Sequence, residues 1–210
     1  NPVTGLGLGI SYSSLNQIGG VFPQNGLGQA GVKFYVNMVN GNLIVKDRMS
    51  KLQEMNGDLE IGYYYNSQAA TTQTTWQLNI KSLSQLPSIN PPIGQTAVLQ
   101  EEDGHLTTYT LSTSNGSPIY MAPGLGDGTP YIYYDADNTR WKWYHPKTQI
   151  TEYYNLQGQL EARLDSLGRA TTYQYYQNGQ LKNIIGPTGD TYTITYTGSN
   201  VGIYETIGGQ

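Results

Sequence analysis

Cysteine is absent from all 210 residues. No disulfide therefore staples the fold, and no thiolate is available as a nucleophile or metal ligand. Histidine is nearly absent, with His105 and His145 the two present. Charged residues make up 12%, the net charge is −4, and Lys and Arg do not cluster. Nucleic acid is set aside as a partner, because phosphate binding needs gathered cations. No apolar run approaches the roughly 18 residues of a membrane-spanning helix. No segment of ten or more residues carries a helical period.

What remains is rich in turns and tyrosine. There are 26 glycines, and 19 tyrosines against 2 phenylalanines. Alternating residues recur in short runs: Val32, Phe34, Val36 and Met38 against Lys33, Tyr35 and Asn37, then Trp76, Leu78 and Ile80. Period two marks half-buried strands. Asn-Gly pairs at 40–41 and 56–57 and Asp103-Gly104 mark hairpin turns. The expected fold is all-β: many short antiparallel strands in a continuous curved or spiralling sheet, with little or no helix. Three regions are expected: a glycine-rich irregular opening at 1–31, a β region with Pro/Gly-rich loops at 32–130, and a repeat region at 131–210. The chain opens on Asn1 with no signal peptide and ends in Gly-Gly-Gln, which reads as a fragment of something longer.

The repeat is the strongest signal. Tyr154, Tyr175 and Tyr196 lie 21 residues apart, as do Gly158 and Gly179, Leu160 and Leu181, Leu164 and Ile185, Gly168 and Gly189. A fixed period of this length indicates stacked units, each unable to bury its apolar face alone. Within one unit Leu160, Ala162 and Leu164 alternate with Glu161 and Arg163. Asp165 to Arg169 turns the chain, and Thr171, Tyr173 and Tyr175 alternate back. Gly168 is expected at a turn position of positive φ.

The residues offer little chemistry. His105 and His145 sit in turns, and a zinc site would need carboxylates beside them. Asp135, Asp137 and Asn138 form half a calcium loop without its glycine and terminal glutamate. Glu101, Glu102 and Asp103 are a short acidic run beside a turn. No enzyme activity, cofactor or metal is expected. Trp141 and Trp143 share a face. They read as sheet core or, in the sharper alternative, as a stacking platform for sugars, a use that suits tyrosine's apolar ring and polar tip.

The stretch GQLEARLDSLGRATTYQYYQNGQL resembles the RHS/YD-repeat family, whose units carry a G-x-L…D-x-x-G-R-x-T-x-Y-x-Y pattern. The matching residues are Gly158, Leu160, Asp165, Gly168, Arg169, Thr171, Tyr173 and Tyr175. The next unit keeps Gly179, Leu181, Gly189 and Tyr196, with Gly186 and Asp190 in place of the Asp and Arg. Gly41, Asn42, Leu43, Asp47, Leu59, Tyr65, Asn66 and Ser67 are similar to the region that opens such proteins. The resemblance implies a segment of a hollow β-shell, secreted or at a cell surface, whose partners are the rest of the shell and an enclosed C-terminal toxin. Bacterial polymorphic toxins, insecticidal toxin complexes and teneurins share this architecture. The D-P-x-G motif of the family's self-cleaving core is missing here, so no protease activity is implied. The alternative is a carbohydrate-binding β module with cell-surface glycans as partners, using exposed Trp and Tyr.

Overall fold

The computed structural model describes residues 17–21, 32–37, 42–52, 59–67, 76–86, 95–114, 117–124, 128–198 and 200–206. Within them the chain is all-β. The strands are β1 (Gln17–Val21), β2 (Val32–Asn37), β3 (Leu43–Leu52), β4 (Leu59–Asn66), β5 (Gln77–Leu78), β6 (Ser82–Gln85), β7 (Thr96–Gln100), β8 (Leu106–Ser114), β9 (Ser117–Met121), β10 (Tyr131–Asp135), β11 (Arg140–His145), β12 (Ile150–Tyr154), β13 (Leu160–Leu164), β14 (Ala170–Tyr175), β15 (Leu181–Ile185), β16 (Thr191–Thr197) and β17 (Asn200–Thr206). Among the described residues a single 3₁₀ turn, Ala136–Asn138, interrupts them. The strands pair strictly in chain order, β1 to β5 in one sheet and β6 to β17 in a second of 12 strands. Abundant Thr, Tyr, Ile and Val favour the pleated surface, and glycine turns return each strand beside the last.

Three local expectations change. Gln17–Val21 lies within the opening expected to be irregular, yet it pairs along its length with Val21↔Lys33 to Gln17↔Asn37. Backbone pairing with β2 supplies what its glycines lack in propensity. The strand expected around Trp76 to Ile80 shrinks to two residues, and Trp76 is 52% exposed. Val36, expected on a buried face, is 37% exposed. The turns placed at 40–41 and 56–57 lie outside the described residues, except for the edges of their strands.

The chain divides into two units: Asn1–Lys51, Leu59–Ile80 and Gln100–His105 form the first, and Leu52–Asp58, Lys81–Leu99 and Leu106–Gln210 the second. In the first, Ile44, Val45, Leu59, Ile61 and Tyr64 are buried. The Tyr64 hydroxyl donates to Gln77 Oε1 at 2.7 Å and accepts from Gln100 Nε2 at 3.0 Å. Burial, with the Asp103 carboxylate adding to it, pushes this phenol up to about 12. A raised folded-state value stabilises the fold below the ordinary 10.0, and that stability is lost as pH rises through the folded-state value. Burial raises Tyr175 in the same direction. Urea melts are therefore expected to hold steady up to about pH 10 and to fall from there toward pH 12. A stability that does not change across that window would overturn the assignment.

In the first unit the opening motif closes on itself. Ser67 Oγ donates to Asn42 Oδ1 at 2.9 Å, and the same oxygen accepts the Leu43 N–H at 2.8 Å. Asn66 Nδ2 donates to the Asp103 carbonyl at 3.2 Å. Residues matched 24 and 25 positions apart in sequence thus meet at one end of the β3–β4 pair.

Candidate functional site

The repeat is built from one kind of turn. At Asn155–Gln159, Asp165–Arg169, Tyr176–Gln180 and Gly186–Asp190 the first residue's N–H donates to the fifth residue's carbonyl. The glycine N–H donates back to the first residue's carbonyl. Gly158, Gly168, Gly179 and Gly189 have φ of +82, +76, +85 and +92°. This is a three-residue hairpin loop closed by a left-handed glycine. Glu101–His105 turns the same way through Gly104, φ +77°. His145–Gln149 does not: the left-handed residue there is Gln149 at +57°, not Lys147 in the aligned position.

Asp165 explains the D-x-x-G-R pattern. It is 3% exposed, and its Oδ1 accepts the backbone N–H of Leu167 at 2.9 Å and of Arg169 at 3.0 Å. Its Oδ2 takes Arg169 Nε at 2.8 Å. The Asp and Arg brace their own turn. Asn155 repeats the device with Gln157 and Gln159.

The tyrosines recur as well as the glycines. Tyr175 donates to the Leu160 carbonyl at 2.8 Å and Tyr196 to the Leu181 carbonyl at 3.0 Å, the same bond 21 residues on. The pairing register shifts at Tyr153/Tyr154 and again at Gln174/Tyr175. Each shift is a bulge that accommodates one extra residue per unit. Leu160 and Leu181 are both buried, as is Tyr173, whereas Leu164 and Ile185 are half-buried.

Behind that regularity lies one substitution in kind. Glu152 pairs with Arg163, and Arg163 with Thr171, across β12, β13 and β14. The residues 21 further on are Tyr173 paired with Ile184 and Ile184 with Tyr192. The second row is aromatic and aliphatic, and it is buried. The first carries two charges: Glu152 is 0% and Thr171 1% exposed, and the Arg163 side chain is 14% exposed. Its Oε1 accepts from Arg163 Nη1 at 2.7 Å and lies 3.3 Å from Lys81 Nζ, while Oε2 accepts the Tyr154 hydroxyl at 2.7 Å. Lys81 precedes β6, whose Leu83 N–H donates to the Gly158 carbonyl at 2.8 Å. The same ammonium stands 4.5 Å over the Trp143 ring, and Trp143 Nε1 donates to the Tyr109 hydroxyl at 2.7 Å.

Burial alone would push the Glu152 carboxyl up, but Lys81, Arg163 and the Tyr154 hydroxyl hold it below its ordinary 4.5. A general acid or base works with a pKa near the operating pH and within reach of substrate. Glu152 is held ionised, both its oxygens are occupied, and it is buried. Its chemistry is that of an internal ion network.

No protein-family model, curated protein or solved structure matches the chain. The RHS/YD resemblance therefore rests on the motif residues alone.

Trp141 and Trp143, read as sheet core or alternatively as a sugar-stacking platform, are 3% and 6% exposed. Trp141 packs against Tyr134 at 5.1 Å and Tyr120 at 6.3 Å between ring centroids. Trp143 holds Lys81 on its face. Neither ring presents a free face, because the sheet side they share is the core side. Of the other candidates, Asp135 is engaged by Asn138 Nδ2 at 2.9 Å and Arg140 Nε at 3.2 Å. The His105 N–H donates to Asp103 Oδ1 at 3.0 Å, and His145 Nδ1 accepts the Thr148 N–H at 3.3 Å. Glu152 itself was invisible in the sequence as a site. The signal that could have found it is its place in a column otherwise held by Tyr173 and Ile194.

Proposed function

We propose that the chain is a non-catalytic structural segment of an RHS/YD-repeat protein. It forms part of a β-shell that encloses or presents a C-terminal toxin, in a secreted bacterial toxin or cell-surface protein. The observation that carries this reading is the recurrence of the tyrosine-to-leucine-carbonyl bond, Tyr175 to Leu160 and Tyr196 to Leu181, with the D-x-x-G-R turn between. Motif residues spent on bracing turns and joining neighbouring strands suit a wall that extends by adding units. The two buried carboxylates among the described residues, Glu152 and Asp165, are both paired with arginine, which fits a load held in place rather than a reacting group. The test is to purify the longest product its gene encodes and digest it with protease before and after mild denaturation. The expected result is a C-terminal region cleaved only once the β-structure opens. A C-terminal region cleaved equally under native conditions, or no region beyond the repeats, would overturn the reading.

A further inference from the structure

Of the four turns that build the repeat, one carries a reactive junction. The residue before the left-handed glycine is Gln157, Leu167, Asn178 and Thr188 in chain order. Among these, asparagine alone has a side-chain amide carbon that closes a five-membered ring on the following backbone nitrogen. Glycine at 179 adds no Cβ beside that nitrogen, so nothing hinders the approach. Both residues are exposed, and water reaches them. Asn-Gly also occurs at 25–26, 40–41, 56–57 and 115–116, and Asn178–Gly179 is the pair that falls within the described residues.

Hydrogen bonds hold the junction in a resting form. The Gly179 N–H donates to the Tyr176 carbonyl at 2.9 Å, and the Tyr176 N–H donates to the Gln180 carbonyl at 2.8 Å. Asn178 Oδ1 accepts the Gln180 N–H at 3.1 Å, and Asn178 Nδ2 donates to Gln180 Oε1 at 2.7 Å. Ring closure needs a deprotonated Gly179 nitrogen set against Asn178 Cγ, with Nδ2 free to leave. The bond to Tyr176 and the bond to the Gln180 side chain must both open first. The Gly179 carbonyl also accepts Gln159 Nε2 at 2.9 Å from the preceding turn.

We propose that Asn178–Gly179 is a self-modification site, converting to aspartate and isoaspartate, and that the Gln180 side chain gates it. In the opened turn the Gly179 N–H gives its proton to hydroxide, and the nitrogen attacks Asn178 Cγ. The N–Cγ bond forms, the Cγ–Nδ2 bond breaks, and Nδ2 takes a proton from water and leaves as ammonia. Water then opens the cyclic imide at either carbonyl. Opening at the backbone carbonyl leaves isoaspartate, whose Cβ enters the main chain. The turn then has one extra backbone atom and a new carboxylate, which displaces the Gly179 carbonyl from Gln159. The inference concerns bonds within one turn, so it stands or falls independently of the shell reading.

The test incubates the full chain at neutral pH and follows the tryptic peptide 170–182, cut after Arg169 and Lys182, by mass spectrometry. An isoaspartyl methyltransferase marks the isoaspartate. Conversion in the native chain is expected to be measurable but about ten- to a hundredfold slower than in the free peptide 170–182, because two hydrogen bonds must open. In concentrated urea the chain should match the peptide. Gln180→Ala removes the acceptor of Nδ2 and should speed native conversion roughly three- to tenfold, the worth of one hydrogen bond. Gln180→Glu keeps an acceptor there and should stay within about twofold of the parent. Native conversion as fast as in the peptide, none by the time the urea-unfolded chain has fully converted, or an unchanged rate in Gln180→Ala would each overturn the proposal.

Discussion

Gly158→Ala is expected to destabilise the second unit by about 3–6 kcal/mol, while Gly168→Ala costs about 1–2 kcal/mol. Both glycines hold the same turn position with nearly the same left-handed φ, +82 and +76°. A left-handed L-residue costs about 1–2 kcal/mol in either place. The surroundings separate them. A Cβ on Gly168 would meet nothing within 4 Å, whereas one on Gly158 would overlap the Leu83 carbonyl oxygen. Relieving that overlap forces β6 away, costing about 1–3 kcal/mol in repacking and about 1 kcal/mol for the 2.8 Å bond from Leu83 N–H to the Gly158 carbonyl. Urea melts followed by tryptophan fluorescence, with Trp141 and Trp143 buried in this unit, measure the difference. Equal losses at the two positions would overturn the account.

Glu152→Gln is expected to cost roughly 3–5 kcal/mol, because removing one partner strands the others in a buried site. Arg163 and Lys81 have side chains only 14% and 12% exposed, and they would face each other without a counter-charge. Replacing the whole network is expected to be far milder. Lys81→Met, Glu152→Tyr and Arg163→Ile together install the pair that the next unit already buries as Tyr173 and Ile184. Apolar replacement of a buried ion network is often neutral or stabilising. The triple variant should therefore melt within about 1–2 kcal/mol of the parent. The pH dependence follows from the lowered carboxyl. Its stabilisation is present above the ordinary 4.5 and is lost as pH falls through the lower folded-state value. The triple variant should lose that acid sensitivity. A single variant as mild as a surface change, or a triple variant as damaged as the single, would show that the network does not hold β6 to β12.

Much of this was readable before any coordinate. The 21-residue spacing located the turns at Gly158, Gly168, Gly179 and Gly189, and all four adopt left-handed φ. It also aligned Tyr175 with Tyr196, which make equivalent bonds. These are local properties: a glycine's freedom and a strand's alternation act within a few residues, so they leave a linear trace. The burial of Trp141 and Trp143 was one of two readings that alternation left open, since period two separates two faces without saying which one is covered.

The bulges altered the reading of the apolar face. One extra residue per unit brings Arg163, its side chain 14% exposed, into the row of Glu152 and Thr171, and makes Ile184 rather than Ile185 the buried position after Leu181. Nothing local in the sequence announces that shift. The ion network is less legible still, because Lys81 and Glu152 stand 71 residues apart. The amino-acid order alone determined that this chain is a repeated β-structure, because turn geometry and side-chain alternation depend on near neighbours. Only the tertiary structure decided which face became core and where a buried charge found its partners, because burial and ion pairing depend on residues that pairing across the sheet brings together.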